Sequence, residues 1–126
     1  MIYFISGHRD LSYEDFEKIY VPVLQKVIQE DLGAKFVVAE CSGVDTMVQD
    51  WLALNFRFLE RVTVFHMFQE PRHFASPRFN KKGGYDSDIS RDAAMTEESD
   101  FDIAFVKDNR WTSGTAQNIM RRHNKK

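Results

Sequence analysis

DIAFVKDNRWTSGTAQN, residues 102–118, sets an apolar run of strand length just before a polar turn and a Ser-Gly-Thr. A short, near-continuous apolar run fits a strand buried on both faces, and the Ser-Gly-Thr fits a helix opening at Gly114 and Thr115. A strand that feeds a helix through a glycine turn offers free backbone N–H groups and the positive end of a helix dipole. Three further runs share the pattern: residues 2–5 (IYFI), 36–39 (FVVA) and 62–65 (VTVF). Near-continuous β-branched and aromatic runs of this kind belong to parallel sheets covered on both sides.

Helical signals separate the runs. Ser12 with Asp15 three residues on is a capping-box arrangement, opening a helix that runs towards Asp31. Pro22 lies inside it and predicts a kink or break near Tyr20 and Val21. Ser42 with Asp45 repeats the box, and Val44, Met47, Val48, Trp51 and Leu52 stand at helical spacing. A third helix is expected over 86–98, and a fourth from Gly114–Thr115 into the basic tail at 121–126. The alternation predicts an α/β chain: one small Rossmann-like three-layer domain over 1–126. Its parallel sheet has about four strands in the order 3-2-1-4, joined by right-handed crossovers. Residues 67–85 are polar, carry two prolines and Gly83-Gly84, and read as a long ligand-contacting loop or lid.

Composition narrows the function classes. Of 126 residues 43% are hydrophobic and 13% aromatic, enough for a packed core. A net charge of −2 argues against a polyanion binder that acts through the whole molecule. One cysteine, Cys41, excludes an intramolecular disulfide and fits a reducing compartment. No apolar run approaches a membrane span, and MIYFISG enters a strand-like run with no charged leader, so a cytoplasmic protein is expected. No HxxxH or CxxC pair occurs, so neither a metal nor a cofactor is expected.

In open α/β sheets ligands bind beyond the carboxyl ends of the strands, where the strand order reverses. Here that point falls between the first and fourth strands. Three Ser-Gly loops converge near it: Ser6, Gly7, His8, Arg9 and Asp10; then Ser42, Gly43 and Asp45; then Ser113, Gly114, Thr115 and Asn118. Each alone also reads as an ordinary helix cap. Together with Arg91 from the third helix they form the expected ligand-binding set. His8, Asp10 and Asp92 are the candidate acid–base or nucleophilic groups. Trp111 and Phe74 are candidates for stacking on a base, and Cys41 reads as a small buried hydrophobe.

SGHRD, CSGVDTMVQDWL and SGTAQN, in this order along the whole chain, resemble the SLOG superfamily and above all its small YpsA-like branch. That group includes the Lonely Guy phosphoribohydrolases and shares a plan with nucleoside 2-deoxyribosyltransferases. The resemblance implies a Rossmann-like fold and a nucleotide- or nucleoside-derived ligand whose phosphate lies near the Gly-Thr loop. Its hydrolytic relatives carry a Glu a few residues after that dipeptide, and here Asn118 stands in its place. A neutral amide cannot trap the positive charge that builds on a sugar as its N-glycosidic bond breaks.

Three functions are therefore open. The first is a SLOG-type protein that senses, carries or sequesters a nucleotide- or nucleoside-derived ligand. The second is an N-glycosidic bond hydrolase or deoxyribosyltransferase. The third is a nucleic-acid-binding module that uses the basic tail with Lys81 and Lys82. The resemblance, together with the apolar face bearing Met47 and Trp51, points to a homodimer.

Overall fold

The computed structural model describes residues 1–110 and 113–124. Five strands form one parallel sheet: β1 (Ile2–Ile5), β2 (Lys35–Val38), β3 (Val62–Met67), β4 (Asn80–Tyr85) and β5 (Phe101–Ile103), in the order β4-β3-β2-β1-β5. The four expected strands thus stand in the expected order, with β4 added beside β3. Helices α1 (Tyr13–Glu30), α2 (Val44–Asn55), α3 (Asp88–Glu98) and α4 (Gly114–Asn124) complete the chain.

Alternation along the strands makes two cores. Ile5, Phe36, Val38, Val62 and Val64 pack with α1 and α2 on one face of the sheet. Phe4, Val37, Ala39 and Phe65 pack with Met95 of α3 on the other. Neighbours in each strand serve opposite faces, so the strands read as continuous apolar runs. Met47 and Trp51 are half-buried against the larger core, so the face that suggested a homodimer is occupied within the chain.

Several local expectations are corrected. Helix α1 continues through Pro22, which lies on its exposed face where water can take the carbonyl left without a donor. Ser42 does not cap α2: the cap is Gly43, at φ 84°, and Asp45 Oδ2 accepts from Cys41 N instead, at 3.2 Å. The last strand ends at Ile103 rather than Val106, because the amide of Phe105 donates to the Tyr20 hydroxyl (3.1 Å) and not to a neighbouring strand.

Residues 67–85 hold a strand, not just a loop. NKKGGY carries no apolar alternation because β4 is an exposed edge, with charged lysines that discourage pairing with another chain. The segment before it is pinned down. Glu40, whose side chain is fully buried, is ion-paired with Arg72 and accepts from Met67 N at 3.2 Å, and Ala75 N donates to Gln49 Oε1 at 3.1 Å. Phe74 packs edge-on against Phe79, 6.0 Å between ring centres, so it belongs to the core and not to a base-stacking surface. Trp111 lies outside the described residues.

Arg122 of the basic tail is committed internally as well. Arg122 donates to the carbonyls of Thr96 (3.1 Å) and Ser99 (2.5 Å) at the end of α3, and is paired with Asp102 at 3.1 Å. Cations suit a helix C-terminus, where carbonyls lack partners. Among the described residues, no helix is long and apolar enough to cross a membrane.

Candidate functional site

β1 leads to helices on one face of the sheet and β5 leads to α4, which packs beside α3 on the other. Strand order therefore reverses between β1 and β5, and a cleft of about 350 Å³ opens at their carboxyl ends. Tyr20 holds its frame. Buried in α1, its hydroxyl donates to Ser6 O (2.8 Å) and accepts from Phe105 N (3.1 Å), tying together the chain ends that leave the two strands. Burial pushes this phenol up to about 12, so it stays protonated. Nothing local in the sequence distinguishes Tyr20 from the core aromatics around it.

The first and third glycine loops line the cleft: Ser6, Gly7, His8 and Arg9 on one side, Ser113, Gly114, Thr115 and Asn118 on the other. Of the middle loop only Cys41 and Asp45 reach it. Ser42 is exposed and Gly43 packs against the backbone of Arg9, with Val44 N donating to His8 O at 3.3 Å. Gly43 thus braces the first loop, and neither it nor Ser42 lines the cavity.

Asp10 lies outside the lining. It is exposed and paired with Arg110 at 2.8 Å, which holds its carboxyl below the usual range. His8 lines the cleft, but its Nε2 accepts from Lys107 N at 2.8 Å. A backbone N–H needs an unprotonated ring nitrogen, so the imidazole is neutral with its proton on Nδ1. Burial and the Arg110 cation keep its pKa low. His8 acts here as a latch between the two loops.

The charged centre comes from α2 and α3. Arg91, only 3% exposed, pairs with Asp88 (3.1 Å) and Asp92 (3.2 Å), and Arg9 approaches Asp88 at 3.5 Å. Burial raises the Asp45 carboxyl to about 7, against the pull of Arg91. Burial also raises Asp92, opposed by Arg91 and by a hydrogen bond from Asn118. The Asn118 Oδ1 accepts from Arg121 Nη1 at 2.7 Å, which leaves its NH₂ for Asp92. Cys41 lies 3.4 Å from Arg9 Nη2, yet burial and Asp45 push its thiol up, so it is no thiolate nucleophile. Asp88 stands outside the expected ligand set; its signal in the sequence is the SDxS start of α3, where Ser87 Oγ accepts from Ser90 N. Among the described residues, no group of three or more His, Cys, Asp or Glu is placed to hold a metal.

Two buried polar atoms in this lining make no hydrogen bond, Ser6 Oγ and Arg91 Nη1. Arg91 Nη1 lies 3.1 Å from Asp88 Oδ1, an ion pair without hydrogen-bond alignment. Buried polar atoms left without a hydrogen bond are rare in folded proteins, where each costs about 1–3 kcal/mol.

The raised Asp45 carboxyl gives a stability prediction. Asp45 holds its proton more tightly folded than unfolded, so its contribution favours the fold below about 3.8 and is lost as pH rises towards about 7. Asp45→Asn keeps an acceptor for Cys41 N and removes the titration. In urea unfolding, its advantage over the parent should grow between pH 4 and pH 7, to on the order of 2 kcal/mol at pH 8. A loss at pH 8 would show that the Asp45 anion stabilises Arg91 more than burial penalises it.

Comparison with known proteins adds no relative: no family model, no curated protein and no solved structure matches the chain.

Proposed function

We propose that the protein is a SLOG-type binder of a nucleotide- or nucleoside-derived ligand, held in the cleft between β1 and β5. The observation that carries this reading is Ser6 Oγ, buried without a partner in the lining of a cavity at the strand-order reversal. The N-terminus of α4 supports it from the opposite side. There Ser113 accepts from Ala116 N (3.2 Å) and Gln117 N (3.0 Å), while the lining residues Gly114 and Thr115 lie at the positive end of the helix. A volume of about 350 Å³ suits a ligand near the small end of the usual range.

A second reading, cleavage of an N-glycosidic bond, rests on Asp92. Of the two candidate catalytic acids, Asp10 lies outside the lining, while Asp92 lines the cleft, holds its proton more tightly than an ordinary carboxyl, and is hydrogen-bonded by Asn118. A carboxyl so placed suits proton donation to a leaving base. The tail-based nucleic-acid reading loses ground, because Arg121 and Arg122 are engaged internally and Lys81 and Lys82 are paired with Glu70 and Glu98.

Incubation with a mixture of nucleosides, nucleotides and dinucleotides, with filtration and mass spectrometry of both fractions, tests both readings. Intact ligand retained by the protein, and weakened about tenfold by Ser6→Ala, is the expected result. Free base in the filtrate, abolished by Asp92→Asn, would make the protein an enzyme. The absence of both signals would overturn the nucleotide reading.

A further inference from the structure

The charge of the cleft narrows its ligand. Two arginines, Arg9 and Arg91, line it against three carboxylates, Asp45, Asp88 and Asp92. Once the pH is high enough for Asp45 and Asp92, both raised by burial, to have lost their protons, the lining carries a net charge of −1. Both arginines are already held by carboxylates: Arg9 by Asp88 at 3.5 Å, and Arg91 by Asp88 at 3.1 Å and Asp92 at 3.2 Å. A phosphate chain offers only acceptors. It would have to share both cations with Asp88 while facing the remaining carboxylates in a partly desolvated space.

A hydroxyl group has the opposite character, because it donates and accepts at once. The lining presents that pairing. The carboxylates accept, and Arg91 Nη1, buried beside Asp88 with no hydrogen bond of its own, donates. Ser6 Oγ, also without a hydrogen bond and in a residue 6% exposed, can do either. Acidic side chains read ribose hydroxyls in the same way in dinucleotide-binding folds.

We infer that the cleft selects a ribonucleoside over its phosphorylated forms, reading the sugar diol with Asp88, Arg91, Asp92 and Ser6. This inference rests on the reading of the cleft as a nucleoside or nucleotide site. It places the helix α4 N-terminus against a neutral oxygen of the ligand, not against a phosphate.

The test is isothermal titration of the full chain, without divalent cations, with the four common ribonucleosides. Their 5′-triphosphates and their 2′,3′-dideoxy analogues are titrated alongside. The expected result is binding of at least one ribonucleoside. Its triphosphate should bind at least about tenfold more weakly, and its dideoxy analogue should also lose about tenfold. Asp88→Asn removes one negative charge from the exposed start of α3, and should narrow the gap between nucleoside and triphosphate. A triphosphate that binds tighter than its nucleoside overturns the inference while leaving the nucleotide site intact. A dideoxy analogue that binds as well as the ribonucleoside overturns the diol assignment. Silence from nucleosides and triphosphates alike overturns the underlying reading of the cleft, and this inference with it.

Discussion

Arg91→Met should cost the protein about 3–5 kcal/mol at pH 8 and distinctly less at pH 5. Arg91 is the buried cation among three carboxylates: Asp45 from α2, and Asp88 and Asp92 from its own helix. Methionine replaces most of its volume but none of its charge. Removing one partner from a buried ion cluster leaves the others desolvated and uncompensated, and this outweighs the modest net worth of the intact pairs. Arg9 also faces the cluster but is mostly exposed, and Arg121 acts on Asp92 from α4; neither sits deep enough to replace it.

The pH dependence comes from linkage. Without Arg91 the folded-state carboxyls hold their protons still more tightly than the unfolded ones. The stability they contribute is present in acid and lost as pH rises through their raised folded values. Denaturant unfolding at the two pH values measures the effect, and the double variant Arg91→Met/Asp92→Asn should recover part of the loss at pH 8. Equal losses at both pH values would mean that Arg91 acts through packing alone.

Fold and site differ in how far they are legible in the sequence. The runs at 2–5, 36–39 and 62–65 are legible because both faces of each strand are buried, and burial leaves a continuous apolar signature. β4 is not, since an edge strand of Asn, Lys and Gly has no buried face to record. At the site, Ser-Gly marks the first and third loops as the ones that line the cleft, but it does not separate a glycine facing a cavity from one facing another loop. Ser42 and Gly43 carry the same signature, yet Ser42 is exposed and Gly43 packs against the Arg9 backbone instead. Asp10 is a candidate by its place in the first loop, yet Arg110, a hundred residues away, turns it outward. Asp92 and Arg91 are legible because they start a helix near the right strand ends. Their mutual dependence, and that of Asn118 on Arg121, exists only after the chain has folded.

Gly43→Ala should be the most damaging of three glycine substitutions that separate conformation from contact. Gly84, at φ 91°, has nothing within 4 Å of where a Cβ would stand, so Gly84→Ala meets only the conformational penalty, about 1 kcal/mol. Gly7 has no such φ, but its Cβ would stand 2.5 Å from Val44 Cγ2 and 2.6 Å from the Tyr20 hydroxyl. Gly7→Ala therefore meets contact alone, and the side chains it strikes can give way only by loosening the frame of the cleft. Gly43 combines both effects. At φ 84° its Cβ would lie 2.4 Å from Arg9 O and 2.5 Å from Arg9 Cα, and backbone atoms have no rotamer in which to retreat. The first loop and the start of α2 must then separate, stretching the Val44 N to His8 O hydrogen bond. We expect Gly43→Ala to lose about 3 kcal/mol or more. It should also lose ligand affinity, because His8 and Arg9 move with the loop. Thermal and urea unfolding of the three variants should rank them Gly84→Ala, then Gly7→Ala, then Gly43→Ala. If Gly43→Ala were no worse than Gly84→Ala, the two loops would not be braced against each other. The cleft would then owe its shape to Tyr20 and to the His8 latch on Lys107 N.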